Sequence, residues 1–179
     1  IIYQFVWHSY CDWYIEFLKP IFDSKEEKDL KEVRAFAAFI QSHILIMLHP
    51  FIPFFTEKIW LDLKLNTTLK TPLMFKDWTL PPVIKLDFRK SYQKIDWLIK
   101  LVTSIRSTKV DLEVSPGSFI DISIQDLKND KKSIVINNLS VFKRLGRIQN
   151  VHKSKLGKNG VNIIVGTESI NLYFSEEVN

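Results

Sequence analysis

His8, Cys11 and Asp12 are the first residues whose types and spacing suggest chemistry. Three and four positions apart, they fall on one face of a helix and would offer a metal an imidazole, a thiolate and a carboxylate. Zinc spacing asks for a further Cys or His close by, whereas the other histidines stand at 43, 49 and 152. The trio therefore reads as a hydrogen-bonded His8 and Asp12 pair on a helix edge, with no metal site. Cys11 as a nucleophile would need a neighbouring base in an electropositive pocket, and a small core cysteine is the commoner arrangement. Asp12 with Glu16, or Glu57 with Asp62, supplies paired carboxylates, but acid-base work needs a pocket to set them apart. No Gly-rich phosphate loop, dinucleotide fingerprint or nucleophile elbow occurs, and the five glycines are scattered. The residue pattern holds no catalytic constellation.

Recognition fits the residues better. Lys and Arg number 25 against 20 Asp and Glu, a net charge of +5, and the excess is uneven. Between 131 and 167 stand Lys131, Lys132, Lys143, Arg144, Arg147, Lys153, Lys155 and Lys158, with no acidic residue. A field of one sign attracts polyanions, although a solvated lysine-rich face is the plainer reading. Aromatics and cations together suit single-stranded RNA, whose bases stack on rings while phosphates take Lys and Arg. The candidate rings are Trp7, Trp13, Tyr14, Phe51 and Trp60; the candidate cations are Lys19, Arg34, Lys58, Arg106 and Lys109. Any single large ring is more often core than surface. Arg34 is the cation least easily assigned to plain solvent, because it lies beside an apolar stripe.

The elements that must position these side chains follow from periodicity. The chain has 179 residues, 46% of them hydrophobic, which suits one compact domain with a smaller one. Residues 1–20 form a helix with a polar edge at Gln4, His8, Asp12, Glu16 and Lys19, ended by Pro20. Ser24 with Glu27 offers a capping box for the next helix, whose stripe is Leu30, Val33, Ala37, Ile40, Ile44 and Met47. Pro50 stops it, and Pro53 opens a third helix over 54–63 with Ile59, Trp60 and Leu63 on the buried side. Residues 66–82 read as a long surface connection. A fourth helix, 86–109, carries Phe88, Tyr92, Ile95, Leu98, Ile99, Val102 and Ile105.

Four such stripes are buried most simply as a bundle. The expected fold is mainly α: a four-helix bundle over 1–113, then a small α+β subdomain over 114–179. The latter has a strand near 119–124, a helix over 131–145 capped by Gly146, and strands near 148–152, 161–165 and 170–174. No apolar run reaches the roughly 20 residues a membrane helix needs. A lone cysteine favours a reducing, cytoplasmic setting. With no initiator Met and no basic leader, the chain reads as a piece of a longer protein.

Three segments carry a resemblance. Phe5-Val6-Trp7-His8-Ser9-Tyr10-Cys11-Asp12-Trp13-Tyr14-Ile15-Glu16 resembles the first anticodon-domain helix of valyl-tRNA synthetases, in which Cys-Asp-Trp-Tyr, an apolar residue and Glu form a distinctive run. Leu48-His49-Pro50-Phe51-Ile52-Pro53-Phe54-Phe55-Thr56-Glu57-Lys58-Ile59-Trp60 is similar to that family's Leu-His-Pro-Phe, Pro-Phe, Thr-Glu and Trp pattern. Ile105-Arg106, Lys109 and Pro116-Gly117 are similar to a later, looser signature, with Lys109 where Arg is expected, a departure that bears on bidentate recognition.

The resemblance implies a C-terminal anticodon-binding region of a monomeric, cytoplasmic ligase that joins valine to its tRNA using ATP with Mg. The catalytic domain would lie upstream, leaving this fragment inactive alone and without a cofactor of its own. It implies tRNA as partner, with Lys19, Arg34, Phe51, Lys58, Arg106 and Lys109 as RNA-binding residues. The alternatives are a non-catalytic helical protein-interaction module and a free-standing tRNA-binding protein of synthetase ancestry.

Overall fold

The computed structural model describes residues 1–23, 27–63, 71–78, 87–157 and 160–174. The chain divides into two compact units, Ile1–Lys85 and Leu86–Asn179.

In the first unit, α1 covers residues 2–23, and its middle stretch Phe5–Tyr14 winds more widely, so that the Ile15 amide reaches the Tyr10 carbonyl five residues back. Pro20 does not end the helix as expected. It sits inside Ile15–Asp23, where it forgoes the amide bond to Glu16. The Ser24 half of the capping box lies outside the described residues. Helix α2 (Glu27–Leu48) has the expected six turns. It meets α1 where the Tyr10 hydroxyl donates to Gln41 Oε1 at 2.9 Å and Tyr14 packs edge-on to Phe36. Helix α3 (Pro53–Asp62) begins on its proline, whose missing amide is no loss at that position. Leu45, Trp60 and Leu73 form a buried cluster, with Ile46 and Ile59 against it. Leu73 belongs to a short turn, Leu73–Phe75, in what reads from sequence as plain connection. Residues 64–70 and 79–86 of that connection lie outside the described residues.

The second unit begins with α4 (Arg89–Asp111). The fourth helix of the expected bundle thus groups with the α+β elements, and the division between units falls ahead of it, where sequence reading places one at 113/114. The reason is its apolar stripe. Leu98, Leu101, Val102 and Ile105 are fully buried, whereas Phe88, Tyr92 and Ile95 in the first turns are exposed. The helix packs on β3 (Val161–Val165) and on α6 (Leu139–Gly146).

Strands β1 (Ile120–Ser123), β2 (Ile148–His152), β3 and β4 (Glu168–Phe174) form one sheet in the order β2-β1-β4-β3. β1 and β2 are parallel, which demands a crossover, and α5 (Asn129–Asn137) with α6 provides it. The other pairs are antiparallel, with Ile122 opposite Leu172 and Ile163 opposite Ile170, all buried. The single helix expected over 131–145 is two, because Asn138 leaves helical geometry and its side-chain amide donates to the Ile134 carbonyl. Buried Glu168 accepts the Lys128 amide at 2.9 Å, and that bond, against burial, holds its carboxyl below the usual range.

Candidate nucleic-acid interface

The segment 48–60 divides into a fixed half and a presented half. In the fixed half, Thr56 is fully buried; its hydroxyl donates to the Ile52 carbonyl at 3.0 Å and lies 2.8 Å from His49 Nδ1. The Glu57 carboxylate accepts the Leu73 and Met74 amides at 2.9 and 3.1 Å. Trp60 is buried and donates its indole N–H to the Thr71 carbonyl. These bonds tie the start of α3 to α2 and to the 71–75 segment. In the presented half, Phe51 is 74% exposed, Phe54 91% and Phe55 63%. Three phenyl rings are held in water by a turn whose other members are locked, an arrangement with apolar π-faces and no polar group of its own.

The remaining candidates fall into two groups. Arg34 is exposed on α2 and makes no hydrogen bond or ion pair among the described residues. Lys58 is exposed and pairs with Asp62 at 2.8 Å, and Lys19 pairs with Glu16 one helical turn away. Trp7 is exposed and stacks on Tyr3, while Trp13 and Tyr14 are half-buried and Trp60 is core. His8 Nδ1 and Asp12 stand 3.6 Å apart, a surface contact longer than a hydrogen bond. Cys11 is a half-buried free thiol. Among the described residues no three His, Cys, Asp or Glu side chains converge as metal ligands.

Arg106 and Lys109 have internal partners. Arg106 donates Nε and Nη2 to the Leu145 carbonyl at 3.2 and 3.0 Å. Lys109, expected to contact RNA, is 2% exposed and donates Nζ to the carbonyls of Ser118 at 2.7 Å and Gly146 at 3.2 Å. It is a tie within the second unit and presents no charge to a ligand. Burial first, then the neighbouring Arg147 and Arg106, push its pKa down.

Sequence reasoning passed over Phe54 and Phe55. A signal existed: Phe54 stands four before Lys58 on α3 and so shares the charged side, while Thr56 and Trp60, also four apart, mark the buried one.

A family model for the anticodon-binding domain of tRNA ligases matches residues 1–124. A valine–tRNA ligase of Pelagibacter ubique is 43% identical over 98% of this chain. Those of Agrobacterium fabrum and Rhizobium meliloti are 32% and 34% identical over 95% and 92%. This chain belongs to the valine–tRNA ligase family. It spans about a fifth of the length of these relatives, 20%, 18% and 17% of each. Within that family's anticodon-binding region, the stretch 48–60 forms the locked aromatic turn just described. The looser signature at 105–117 corresponds to the Arg106 and Lys109 ties and their carbonyl partners. The matched region includes α4, so the family's domain and the compact units cut the chain differently.

Proposed function

We propose that this chain recognises the anticodon stem-loop of a valine-accepting tRNA as the C-terminal part of a valine–tRNA ligase. The observation that supports this most is the split at 48–60: a hydrogen-bonded scaffold of His49, Thr56, Glu57 and Trp60 that holds Phe51, Phe54 and Phe55 in solvent. Unpaired loop bases have π-faces of their own, and stacking each on a ring is worth about 1–3 kcal/mol. Arg34, Lys58 and Lys19 on the same unit would hold phosphates. Lys109 has no part in this contact.

In the whole ligase, valine and ATP would give valyl-adenylate and pyrophosphate, and the valyl group would then pass to the terminal ribose of the tRNA. The sequence has no phosphate loop, and among the described residues no three His, Cys, Asp or Glu side chains converge. That chemistry is assigned in this reading to other parts of a monomeric, cytoplasmic enzyme, and the chain alone is expected to be inactive. Among the described residues no helix is long and apolar enough to cross a membrane.

Titration of the 179-residue chain with an isolated anticodon stem-loop RNA at increasing salt tests the proposal. Affinity should fall steeply with ionic strength and weaken on Phe51→Ala. A salt-independent interaction, or none, would favour an apolar protein-interaction module instead.

A further inference from the structure

Unit Leu86–Asn179 carries a cationic feature that the anticodon contact does not use. Helix α6 ends on Gly146, and the next residue, Arg147, takes the left-handed conformation with φ 53° that favours glycine. A Cβ at Gly146 would lie 2.8 Å from Ile148 Cδ1, so the end of that side chain would have to shift.

A cation after a helix ordinarily serves the last carbonyls. At α6 three of the last four carbonyls, and that of Arg147 itself, are already served. The Arg147 amide bonds Lys143, Arg106 bonds Leu145, Lys109 bonds Gly146, and the Ile120 amide bonds the Arg147 carbonyl. The Arg147 guanidinium is left exposed, 5.9 Å over the ring of Phe119, which is itself 51% exposed, with no ion pair among the described residues. Buried Lys109 also has carbonyl partners and no carboxylate, and Arg106 and Arg147 are near enough to act on it electrostatically. Positive charge therefore accumulates at the end of α6, within a stretch free of acidic residues from 131 to 167.

We propose that Arg147 and Phe119, with Arg106 beside them, form a second RNA contact that grips the sugar-phosphate backbone without reading bases. A guanidinium fork matches phosphate oxygens, and the ring offers a flat apolar face to a ribose or base. The inference rests on the tRNA-binding reading above, and names a surface outside the 51–55 turn.

The test is filter binding of the 179-residue chain to a valine tRNA transcript and to an anticodon-swapped transcript, with Arg147→Gly as the main variant. Glycine suits φ 53°, so the circular dichroism spectrum and urea midpoint should be retained or improved. Affinity should drop about fivefold at low salt for both transcripts alike, and the slope of log K against log salt should become shallower by about 0.9. Arg147→Lys should keep the slope and part of the affinity, and Phe119→Ala should show a smaller drop. If the wild type binds with anticodon dependence while Arg147→Gly changes neither affinity nor slope, or weakens only the native anticodon, this inference is overturned and the anticodon reading stands. If the wild type binds neither transcript, the anticodon reading has failed and this inference falls with it.

Discussion

The two units use their aromatic and aliphatic side chains in opposite ways. Among the described residues the first unit fully buries only Leu18, Ile44, Leu45, Trp60 and Leu73 of its apolar side chains, while the second buries nineteen, from Trp97 to Leu172. The first unit instead leaves Tyr3, Trp7, Phe36, Phe51, Phe54, Phe55, Phe75 and Trp78 substantially in water. Burial in the sheet-and-helix core stabilises the second unit, whereas rings kept in water contribute little to folding, and a cluster of them is expected where it meets a partner. Two of the candidate cations differ in the same way: Arg34 faces solvent on α2, whereas Lys109 is spent on internal carbonyls.

The largest effects should come from breaking each core. Trp60→Ala removes the centre of the first unit's small cluster and Phe142→Ala a fully buried ring of the second; each should cost about 3–5 kcal/mol. Urea unfolding would measure both, and native-state hydrogen exchange should find amides of α4 and β1 better protected than those of α1. Equal protection would erase the contrast between the units. Phe51→Ala comes next. It should weaken RNA binding by about 1–3 kcal/mol if one base stacks there, with little change in stability, since the ring is already in water.

The units should also respond oppositely to alkaline pH. Lys109 titrates below the 10.5 of an unfolded lysine because of burial and its arginine neighbours. Between its folded value and 10.5 the unfolded chain binds more protons, so this group's contribution to stability rises with pH. Burial raises Tyr10 and Tyr14 above 10.0, so from about pH 10 upward the folded chain binds more protons there and their contribution falls. Relative to wild type, from pH 8 to 11, the urea midpoint of Lys109→Met should therefore fall and that of Tyr10→Phe should rise. The smallest effects belong to the surface cations. Arg34→Ala should leave the urea midpoint unchanged, and Lys58→Ala should alter stability by less than about 1 kcal/mol, as expected for an exposed pair. Both should weaken tRNA binding, and unchanged affinity would remove either residue from the surface.

Periodicity made most elements legible: α2 and the last three strands stand where their stripes and glycines place them. Some boundaries departed from the local signal. Pro20 was absorbed near a helix end, and Asn138 divided a continuous apolar pattern by bonding its own preceding turn. The cap after α6 fell to Arg147, one residue beyond Gly146, which is the last residue of the helix. In the candidate interface, Phe51 and Arg34 are exposed although a single large ring is more often core and Arg34 lies beside an apolar stripe, and nothing in residue spacing says that Lys109 is buried. Its partners, Ser118 and Gly146, are 9 and 37 residues away in the chain.

The measurement that bears most directly on the central claim is filter binding of the 179-residue chain to valine tRNA beside transcripts in which only the anticodon is exchanged. Binding should be tightest to the native anticodon, and Phe51→Ala should shrink the gap between native and exchanged transcripts. Equal affinity for every anticodon, in wild type and variant alike, would contradict the account.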